Sequence, residues 1–159
     1  ILYAPRPKVR RLLETCRRQK TSVSVIMLDI DRFKFVNDNY GHPAGDRALQ
    51  QISELLQERL RKSDFLGRYG GEEFAVILPQ TPPDNSFQLA EEIRQKVMDT
   101  PVKIDEGVVL HLHISAGVSG VDSVREGLML DDLIKQSDEA LYEAKRSGRN
   151  RVVLHGDRG

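Results

Sequence analysis

A nearly unbroken apolar run at residues 23–28 constrains the fold of this chain more than any other feature. The run reads VSVIML, has the length of a β-strand and is rich in β-branched side chains. Such a segment is typical of a central strand that is buried on both faces. The next residue is Asp29, so we expect this strand to deliver a carboxylate to its C-terminal end.

A second acidic corner follows at residues 68–74, which read RYGGEEF. Segments of strand character lie on both sides of the glycines, at residues 65–69 and 75–78. Gly70 and Gly71 between them predict a tight hairpin, because glycine accepts the positive φ that such turns require. We therefore expect two paired strands with an acidic tip.

The carboxylates of these two corners form a candidate metal site. An isolated acidic tip such as Glu72 and Glu73 is typical of a solvated turn, but the second corner at Asp29 favours a shared site. Mg²⁺ prefers one or two carboxylates together with phosphate oxygens, which suits a site built from Asp29 and Glu72. For Asp31 we favour a different role, as the N-cap of a helix that starts at Phe33.

The composition limits the classes of function. The chain has 159 residues, enough for one domain, and its 24 basic and 24 acidic side chains give a formal charge of zero. That balance argues against nucleic acid as a partner, since nucleic-acid-binding proteins usually carry a strongly basic face. The lone Cys16 excludes an internal disulfide and a thiolate zinc cluster and fits a reducing compartment. His111 and His113 alternate on one face of a predicted strand, and without a third ligand an exposed pair is favoured over a metal site.

Residues 1–20 predict a basic lead-in helix. They hold seven basic side chains against one acid, and Pro5 and Pro7 delay the start of the helix. Apolar residues then recur at helical spacing, and these are Val9, Leu12, Leu13 and Cys16. Such a helix can bind membranes or nucleic acid, but we favour a solvated helix with one packed stripe. Neither a membrane span nor a signal peptide is visible, so we expect a soluble domain.

The rest of the chain predicts alternating helices and strands. The segments are helices at residues 33–40, 44–61, about 86–98 and 130–147, a hairpin with arms at 102–105 and 108–118, and a strand at 152–154. Asp84, Asn85 and Ser86 are suitable N-caps for the third helix, and Gly148 closes the fourth. The 3.6-residue period of the second helix indicates that it covers one face of a sheet.

Four motifs in this order resemble the GGDEF domains of diguanylate cyclases. They are DIDRFKFVND at residues 29–38, YGHPAGD at 40–46, RYGGEEF at 68–74 and ALYEAKRSGRN at 140–150. The resemblance covers about residues 23–153. It implies an α/β fold with a central mixed, largely antiparallel sheet surrounded by helices, like the palm-like nucleotidyl cyclases. It also implies one catalytic domain over residues 1–159.

The resemblance further implies that a sensory domain lies upstream in the full-length protein. Family members usually carry a DxLTGLxNRR motif before the first helix. Here at most Leu2 survives from it, and PRP at residues 5–7 stands where NRR would be. We therefore expect a catalytic domain cut from a longer protein. The expected location is the cytoplasm, either free or as the cytoplasmic part of a membrane-anchored sensor protein.

The activity implied by the resemblance is the condensation of two GTP molecules into cyclic di-GMP with release of two pyrophosphates. Two Mg²⁺ ions per GTP, replaceable by Mn²⁺, would be held by Asp29, the backbone carbonyl of Ile30 and Glu72, with Glu73 as a supporting acid. Glu72 also matches the residue that accepts the proton of the attacking 3′-hydroxyl group. Because one domain holds one GTP, catalysis requires a homodimeric encounter of two domains.

The resemblance also assigns residues that contact the substrate. They are Phe33, Lys34, Asn37, His42, Asp46, Lys145 and Arg149. Lys34 matches the transition-state lysine, while Asn37 and Asp46 have the donors and acceptors needed to select guanine. Lys145 and Arg149, expected one turn apart near the end of the last helix, match a pair that binds β- and γ-phosphates. By themselves they would only complement the helix dipole.

Arg61 and Asp64 lie at the offset of the family's primary inhibitory site for cyclic di-GMP. Arginine can pair with a product phosphate, and aspartate can accept from the donors of guanine. Without the resemblance, the same pair would be a helix-end arginine and a turn-forming aspartate. The following helix carries Gln88 and Glu92 where secondary arginines are expected, and Arg94 is the candidate substitute.

Two other functions fit the sequence. One is a catalytically silent sensor that binds GTP or cyclic di-GMP, and the other is a pure dimerisation module. A domain without chemistry has no physical need for carboxylates clustered in a cleft. The presence of the complete set therefore favours a cyclase, and its members are Asp29, Lys34, Asn37, Asp46, Glu72 and Glu73.

Overall fold

The structure is a computed structural model that describes residues 6–156. Helices and strands alternate along the chain, as the hydrophobic periodicity predicts. The elements are α1 (Arg6–Gln19), β1 (Val23–Ile30), α2 (Phe33–Tyr40), α3 (His42–Arg59), β2 (Phe65–Arg68), β3 (Glu73–Pro79), α4 (Pro83–Asp99), β4 (Val102–Asp105), β5 (Val108–Leu110), β6 (Ile114–Val121), α5 (Leu130–Arg146) and β7 (Val152–Leu154).

Strand β1 lies at the centre of a five-stranded sheet with the order β2-β3-β1-β6-β7. All eight of its residues are buried, which confirms the prediction of a central strand covered on both faces. Strand β1 runs antiparallel to β3 and β6, and β7 runs parallel to β6. The sheet is therefore mixed and largely antiparallel, as the resemblance implied.

Helices cover both faces of this sheet because side chains alternate along each strand. Ile26 and Leu28 of β1 pack with α2, α3, α4 and the small β4-β5 sheet. Val25 and Met27 point the other way and pack with α1 and α5. Burial of these two apolar layers supplies the main stabilisation of the fold, at roughly 25 cal/mol per Å² of apolar surface removed from water.

Helix α5 packs unusually close to the sheet at Gly117 of β6. A Cβ atom built on Gly117 would lie 2.1 Å from the backbone oxygen of Ser137 and 2.2 Å from the backbone nitrogen of Leu141. Only a glycine leaves room for the helix backbone at this height. This close approach carries the C-terminal end of α5 toward the end of β1.

The first helix agrees with the prediction of one packed stripe. Val9, Leu13 and Cys16 are buried, whereas the basic side chains at residues 8–18 are exposed or, for Arg17, partly buried. The helix begins at Arg6 with Pro7 in its first turn, while Leu2 and Pro5 lie outside the described residues. None of the helices within residues 6–156 has the length and apolar composition needed to span a membrane.

Two local predictions are wrong. The N-cap of α4 is Pro82, and no side chain caps this helix; Ser86 is instead buried, and its hydroxyl lacks a partner among the described residues. The predicted hairpin arm at residues 108–118 is also divided, because β5 pairs with β4 in a separate sheet and β6 joins the main one. Between them, His111 and His113 are exposed, as expected for a pair without a metal role.

Replacing Gly117 with alanine should destabilise the fold by about 1–3 kcal/mol, because the added methyl group forces α5 away from β6. Urea unfolding measures this loss. Gly71→Ala is the matched control, since a Cβ atom there meets nothing within 4 Å. A Gly117→Ala variant as stable as the control would show that the helix can shift at no cost.

Candidate active site

The end of β1 and the start of β3 bring two carboxylates together. Asp29 and Glu73 are register partners in the antiparallel pair of β1 and β3. The hairpin loop comprises residues 70–72, and the Tyr69 N–H donates to the Glu73 carbonyl at 2.8 Å across its base. Gly70 has the positive φ that the turn requires, +86°. Glu72 lies in the loop, whereas Glu73 belongs to the strand, so only one of the two predicted tip carboxylates is at the tip.

Lys145 enters this acidic corner from the end of α5. Its ammonium group donates a hydrogen bond to Oδ2 of Asp29 and lies 4.0 Å from Oε1 of Glu73. The Asp29 side chain is only 6% exposed, while that of Lys145 is 31% exposed. The structure thus places Lys145, predicted as a phosphate ligand, as the counter-ion of the strand-end carboxylates.

The pKa values of this cluster reflect burial and crowding. Burial raises the pKa of Asp29 to about 6. The hydrogen bond and charge of Lys145 act to lower this pKa, whereas the charges of Glu72 and Glu73 act to raise it. Burial also raises the pKa of Glu73. For Lys145, burial lowers the pKa, but the hydrogen bond and charge of Asp29 outweigh it and leave the pKa raised. The ion pair is therefore the main reason that both charges persist in a poorly hydrated place.

The carboxylates fit a divalent cation. Oδ1 of Asp29 is buried and has no hydrogen-bond partner among the described residues. A buried carboxylate oxygen without a partner is costly, and a hard cation would satisfy it. No group of three or more His, Cys, Asp or Glu side chains in the described part of the chain has an arrangement suited to a metal. The candidate donors are the three that the resemblance implies: Asp29, Glu72 and the carbonyl oxygen of Ile30. Two carboxylates are enough for Mg²⁺ when a phosphate supplies further oxygens.

Asp31 does not have its predicted role. The N-cap of α2 is Arg32, in the left-handed region with φ 56°, and no side chain caps the helix. The buried Asp31 carboxylate instead accepts from the Ser115 hydroxyl at 2.6 Å and from the Asn150 backbone N–H at 2.9 Å. It therefore ties the end of β1 to β6 and to the segment between α5 and β7.

The candidate phosphate residues lie at the start of α2, at the end of α5 and just beyond it. The Phe33 side chain is buried, so its backbone N–H is the group that a ligand could meet, while Lys34 is exposed. Arg149 lies beyond the end of α5 at Arg146, with φ 64° and its N–H bonded to the Ala144 carbonyl at 2.9 Å. Lys145 therefore belongs to the last turn of α5, and Arg149 follows the helix. A cleft of about 520 Å³ separates α2 from the segment that carries Arg149.

The candidate guanine residues meet at the junction of α2 and α3. A Cβ atom on Gly45 would lie 2.0 Å from Oδ1 of Asn37, so this glycine lets Asn37 pack against the first turn of α3. Asp46 is the next residue and is exposed beside a groove of about 620 Å³. His42 is exposed at the first position of α3. Sequence reasoning gave Gly45 no role of its own, although a glycine inside a helix is a signal of close packing.

Arg61 and Asp64 form a compact turn between α3 and β2. The Arg61 guanidinium group bonds to Oδ1 of Asp64 at 3.1 Å, to the Pro79 carbonyl at 2.9 Å and to the Thr81 hydroxyl at 2.7 Å. The Asp64 side chain is 2% exposed, while that of Arg61 is 55% exposed. An arginine held in place but open to solvent can still pair with an anion.

The following helix does not supply the second arginine. Glu92 forms an ion pair with Arg59, and the Arg94 guanidinium group bonds to Glu91 and, at 3.1 Å, to Oδ1 of Asn150. Arg94 therefore faces the segment between α5 and β7. The interpretation of Arg94 as a substitute beside Arg61 is wrong.

Asp29→Asn should remove a pH-dependent loss of stability. The raised pKa means that the folded protein retains a proton between about pH 4 and pH 6 that the unfolded chain, with a pKa of 3.8, releases. Asp29 therefore adds to the free energy of unfolding below pH 4. This contribution falls by at most about 3 kcal/mol as the pH rises through 6. Denaturant unfolding with a chelator should show a smaller decrease from pH 4 to pH 7 in the variant.

Asp105→Asn is the control for this measurement, because its carboxylate is 66% exposed and distant from the cluster in the chain. It should keep the wild-type pH dependence. An Asp29→Asn variant with the same pH dependence as Asp105→Asn would contradict the assignment of the raised pKa to Asp29.

Comparisons with known proteins relate this chain to one family. The family model of the diguanylate cyclase GGDEF domain matches residues 6–151. Diguanylate cyclase DosC of Escherichia coli strain K12 is 37% identical over 145 residues, which are 91% of this chain and 31% of that protein. The chain thus spans about a third of the length of the curated relatives that it matches.

Two solved structures are similar to the fold. The active GGEEF domain of a diguanylate cyclase from Vibrio cholerae has a TM-score of 0.80 and 36% identity, covering 93% of this chain and 96% of that one. The GGDEF domain of DgcB from Caulobacter crescentus, solved in complex with c-di-GMP, has a TM-score of 0.87 and 29% identity, covering 96% and 88%. These neighbours confirm the expected palm-like fold. With the family match extending over nearly all of the described residues, the chain belongs to the diguanylate cyclase GGDEF domain family.

Proposed function

We propose that this domain is a diguanylate cyclase that condenses two GTP molecules into cyclic di-GMP and two pyrophosphates. The observation that carries the proposal is the acidic corner, in which Asp29 and Glu73 are register partners, Glu72 lies in the adjacent loop and Lys145 donates to Asp29. The family match supports the same reaction. Whole relatives of this chain are named diguanylate cyclases, and the proposal extends that activity to the domain itself.

Glu72 is the proposed catalytic base. It is half-buried in the loop, close enough to Asp29 for its charge to raise the Asp29 pKa. Glu72 takes the proton of the ribose 3′-hydroxyl group while that oxygen attacks the α-phosphorus of the second GTP and pyrophosphate leaves. Asp29, the Ile30 carbonyl and Glu72, supported by Glu73, would hold two Mg²⁺ or Mn²⁺ ions, which lower the hydroxyl pKa and screen the phosphate charge.

Cationic residues hold the triphosphate. Lys34 and the uncapped N-terminus of α2 at Phe33 supply donors at the start of α2, and Arg149, which lines the cleft beside α2, supplies its guanidinium group. Lys145 bonds to Asp29 in the empty site and would contact the β- and γ-phosphates in the loaded one. The same lysine thereby serves the empty and the loaded site.

Base selection is assigned to the junction of α2 and α3. Asn37 packs against Gly45 of α3, and Asp46 is the next residue after Gly45. His42 is the first residue of the same helix. A carboxylate can accept from N1–H and N2–H₂ of guanine, a donor pair that adenine lacks. We propose that the second GTP comes from a second copy of the domain, in a two-fold encounter that faces each 3′-hydroxyl group toward the other α-phosphate.

We further propose that Arg61 and Asp64 bind cyclic di-GMP as an inhibitory product. The solved DgcB domain of this family contains c-di-GMP, which supports product binding as a property of such domains. The Arg61 guanidinium group is pre-oriented by the Pro79 carbonyl and the Thr81 hydroxyl, which reduces the entropy cost of binding a phosphate. Product bound there would hold two domains apart and prevent their encounter.

Glu72→Gln should abolish formation of cyclic di-GMP, with a loss of at least about a hundredfold, because it removes the proton acceptor and one negative charge while keeping the size of the side chain. The measurement is product formation from GTP and Mg²⁺, followed by chromatography. Glu126→Gln is the control, since this exposed carboxylate lies outside the acidic corner. Undiminished turnover in Glu72→Gln would remove Glu72 from the mechanism. A wild-type domain that binds GTP without any turnover would instead favour a silent sensor.

Arg61→Ala should weaken binding of cyclic di-GMP by roughly tenfold or more, as expected for the loss of one charge-assisted contact. Calorimetric titration of the product into each protein measures the difference. Arg59→Ala is the matched control, because Arg59 is a nearby exposed arginine paired with Glu92. Equal affinity of Arg61→Ala and the wild-type domain would overturn the inhibitory site.

A further inference from the structure

We propose that Asp31 is a positioning residue for triphosphate binding: from its place directly after β1 it holds the segment that presents Arg149. This inference rests on the proposed function, because it takes Arg149 as a phosphate ligand. Asp31 itself would touch neither the substrate nor a cation. Its effect would pass through the backbone of Asn150, the residue next to Arg149.

Both carboxylate oxygens of Asp31 are already used inside the protein. Oδ1 accepts from the Ser115 hydroxyl of β6 at 2.6 Å, and Oδ2 accepts from the Asn150 N–H at 2.9 Å. Asp31 is 8% exposed, so these bonds lie in a poorly hydrated place. Each of the two oxygens thus has its own partner, one on β6 and one in the segment before β7. Asp31 therefore links β6 to the segment between α5 and β7, and we call it the anchor of that segment.

The segment that it holds has an unfavourable backbone. Gly148, Arg149 and Asn150 have φ values of +129°, +64° and +43°, three successive residues in the left-handed half of φ space. Side chains other than glycine rarely adopt such values, and they persist only where the surroundings determine them. The Arg149 conformation therefore requires restraints from outside the segment.

Three elements supply those restraints. The Ala144 carbonyl at the end of α5 accepts from the Arg149 N–H at 2.9 Å, the carboxylate of Asp31 holds the next N–H, and Arg94 of α4 donates to Oδ1 of Asn150 at 3.1 Å. Of these acceptors, only the Asp31 carboxylate is charged and attached to β1, two residues after Asp29. It thus links the phosphate side of the cleft to the strand that carries the metal carboxylate.

Asp31→Asn tests the inference, because an amide keeps the volume of the side chain but removes the charge, so the Asn150 N–H keeps at best a neutral and weaker acceptor. The affinities for a non-hydrolysable GTP analogue and for GMP are measured by calorimetry. We expect the triphosphate to bind about tenfold more weakly, as for loss of one charged hydrogen bond, and GMP to change by less than about twofold. Ser115→Ala, which keeps the carboxylate and removes one donor, should shift the ratio of the two affinities in the same direction by a smaller factor.

Asp132→Asn is the matched control. Its carboxylate accepts the Met129 N–H at 3.1 Å at the opposite end of α5, so its loss also weakens one capping bond on the same helix. A purely structural effect would lower the melting temperature in both variants and leave the ratio of GTP-analogue to GMP affinity unchanged. An unchanged ratio of the two affinities in Asp31→Asn, whether or not both ligands bind more weakly, would overturn the inference.

Amide hydrogen exchange separates this inference from the proposed function. Without nucleotide, Asp31→Asn should lose protection at the Asn150 N–H by roughly tenfold, whereas Asp132→Asn should not. Retained protection would refute the anchor itself. Lost protection together with a wild-type domain that binds neither nucleotide would instead refute the phosphate role of Arg149, and with it both the positioning effect and the proposed function.

Discussion

The architecture depends on one constraint: a fully buried strand that ends in a carboxylate needs a cation beside it. Asp29 is the second-last residue of β1 and is 4% exposed, so an ionised group without a partner would be strongly disfavoured there. Lys145 of α5 provides the partner, and α5 can reach it because Gly117 lets the helix approach the sheet. The ion pair, the helix position and the close contact with β6 are therefore parts of one arrangement.

In the proposed mechanism this ion pair would have two states, one without ligands and one with them. Without ligands, Lys145 offsets the charge of the strand-end carboxylates, and one oxygen of Asp29 remains without a partner in the described structure. The proposed reaction brings cations to those carboxylates and phosphates to the lysine. A cluster whose charges are balanced in both states avoids the cost of leaving either an acid or a base buried alone.

The other candidate binding residues lie on three further segments. The junction of α2 and α3 presents Asn37 and Asp46, the segment after α5 presents Arg149, and the turn before β2 presents Arg61. Some of these side chains are in contact with neighbours, as Asn37 is with Gly45 and Arg61 is with Thr81. Positioning by neighbours is what allows exposed side chains to bind with little entropy cost.

The sequence by itself determined the alternation of helices and strands, the central strand at residues 23–28, the hairpin and the set of candidate site residues. The fold features follow from local periodicity and turn chemistry. The candidate site residues follow from the resemblance of four motifs to a known family. The N-cap predicted for Asp31 was wrong because its true partner, Asn150, lies 119 positions along the chain. The pairing of Lys145 with Asp29 spans 116 positions, and no local pattern indicates it. Only the tertiary structure decided these contacts, because burial and distance between remote segments determine which polar groups must satisfy one another.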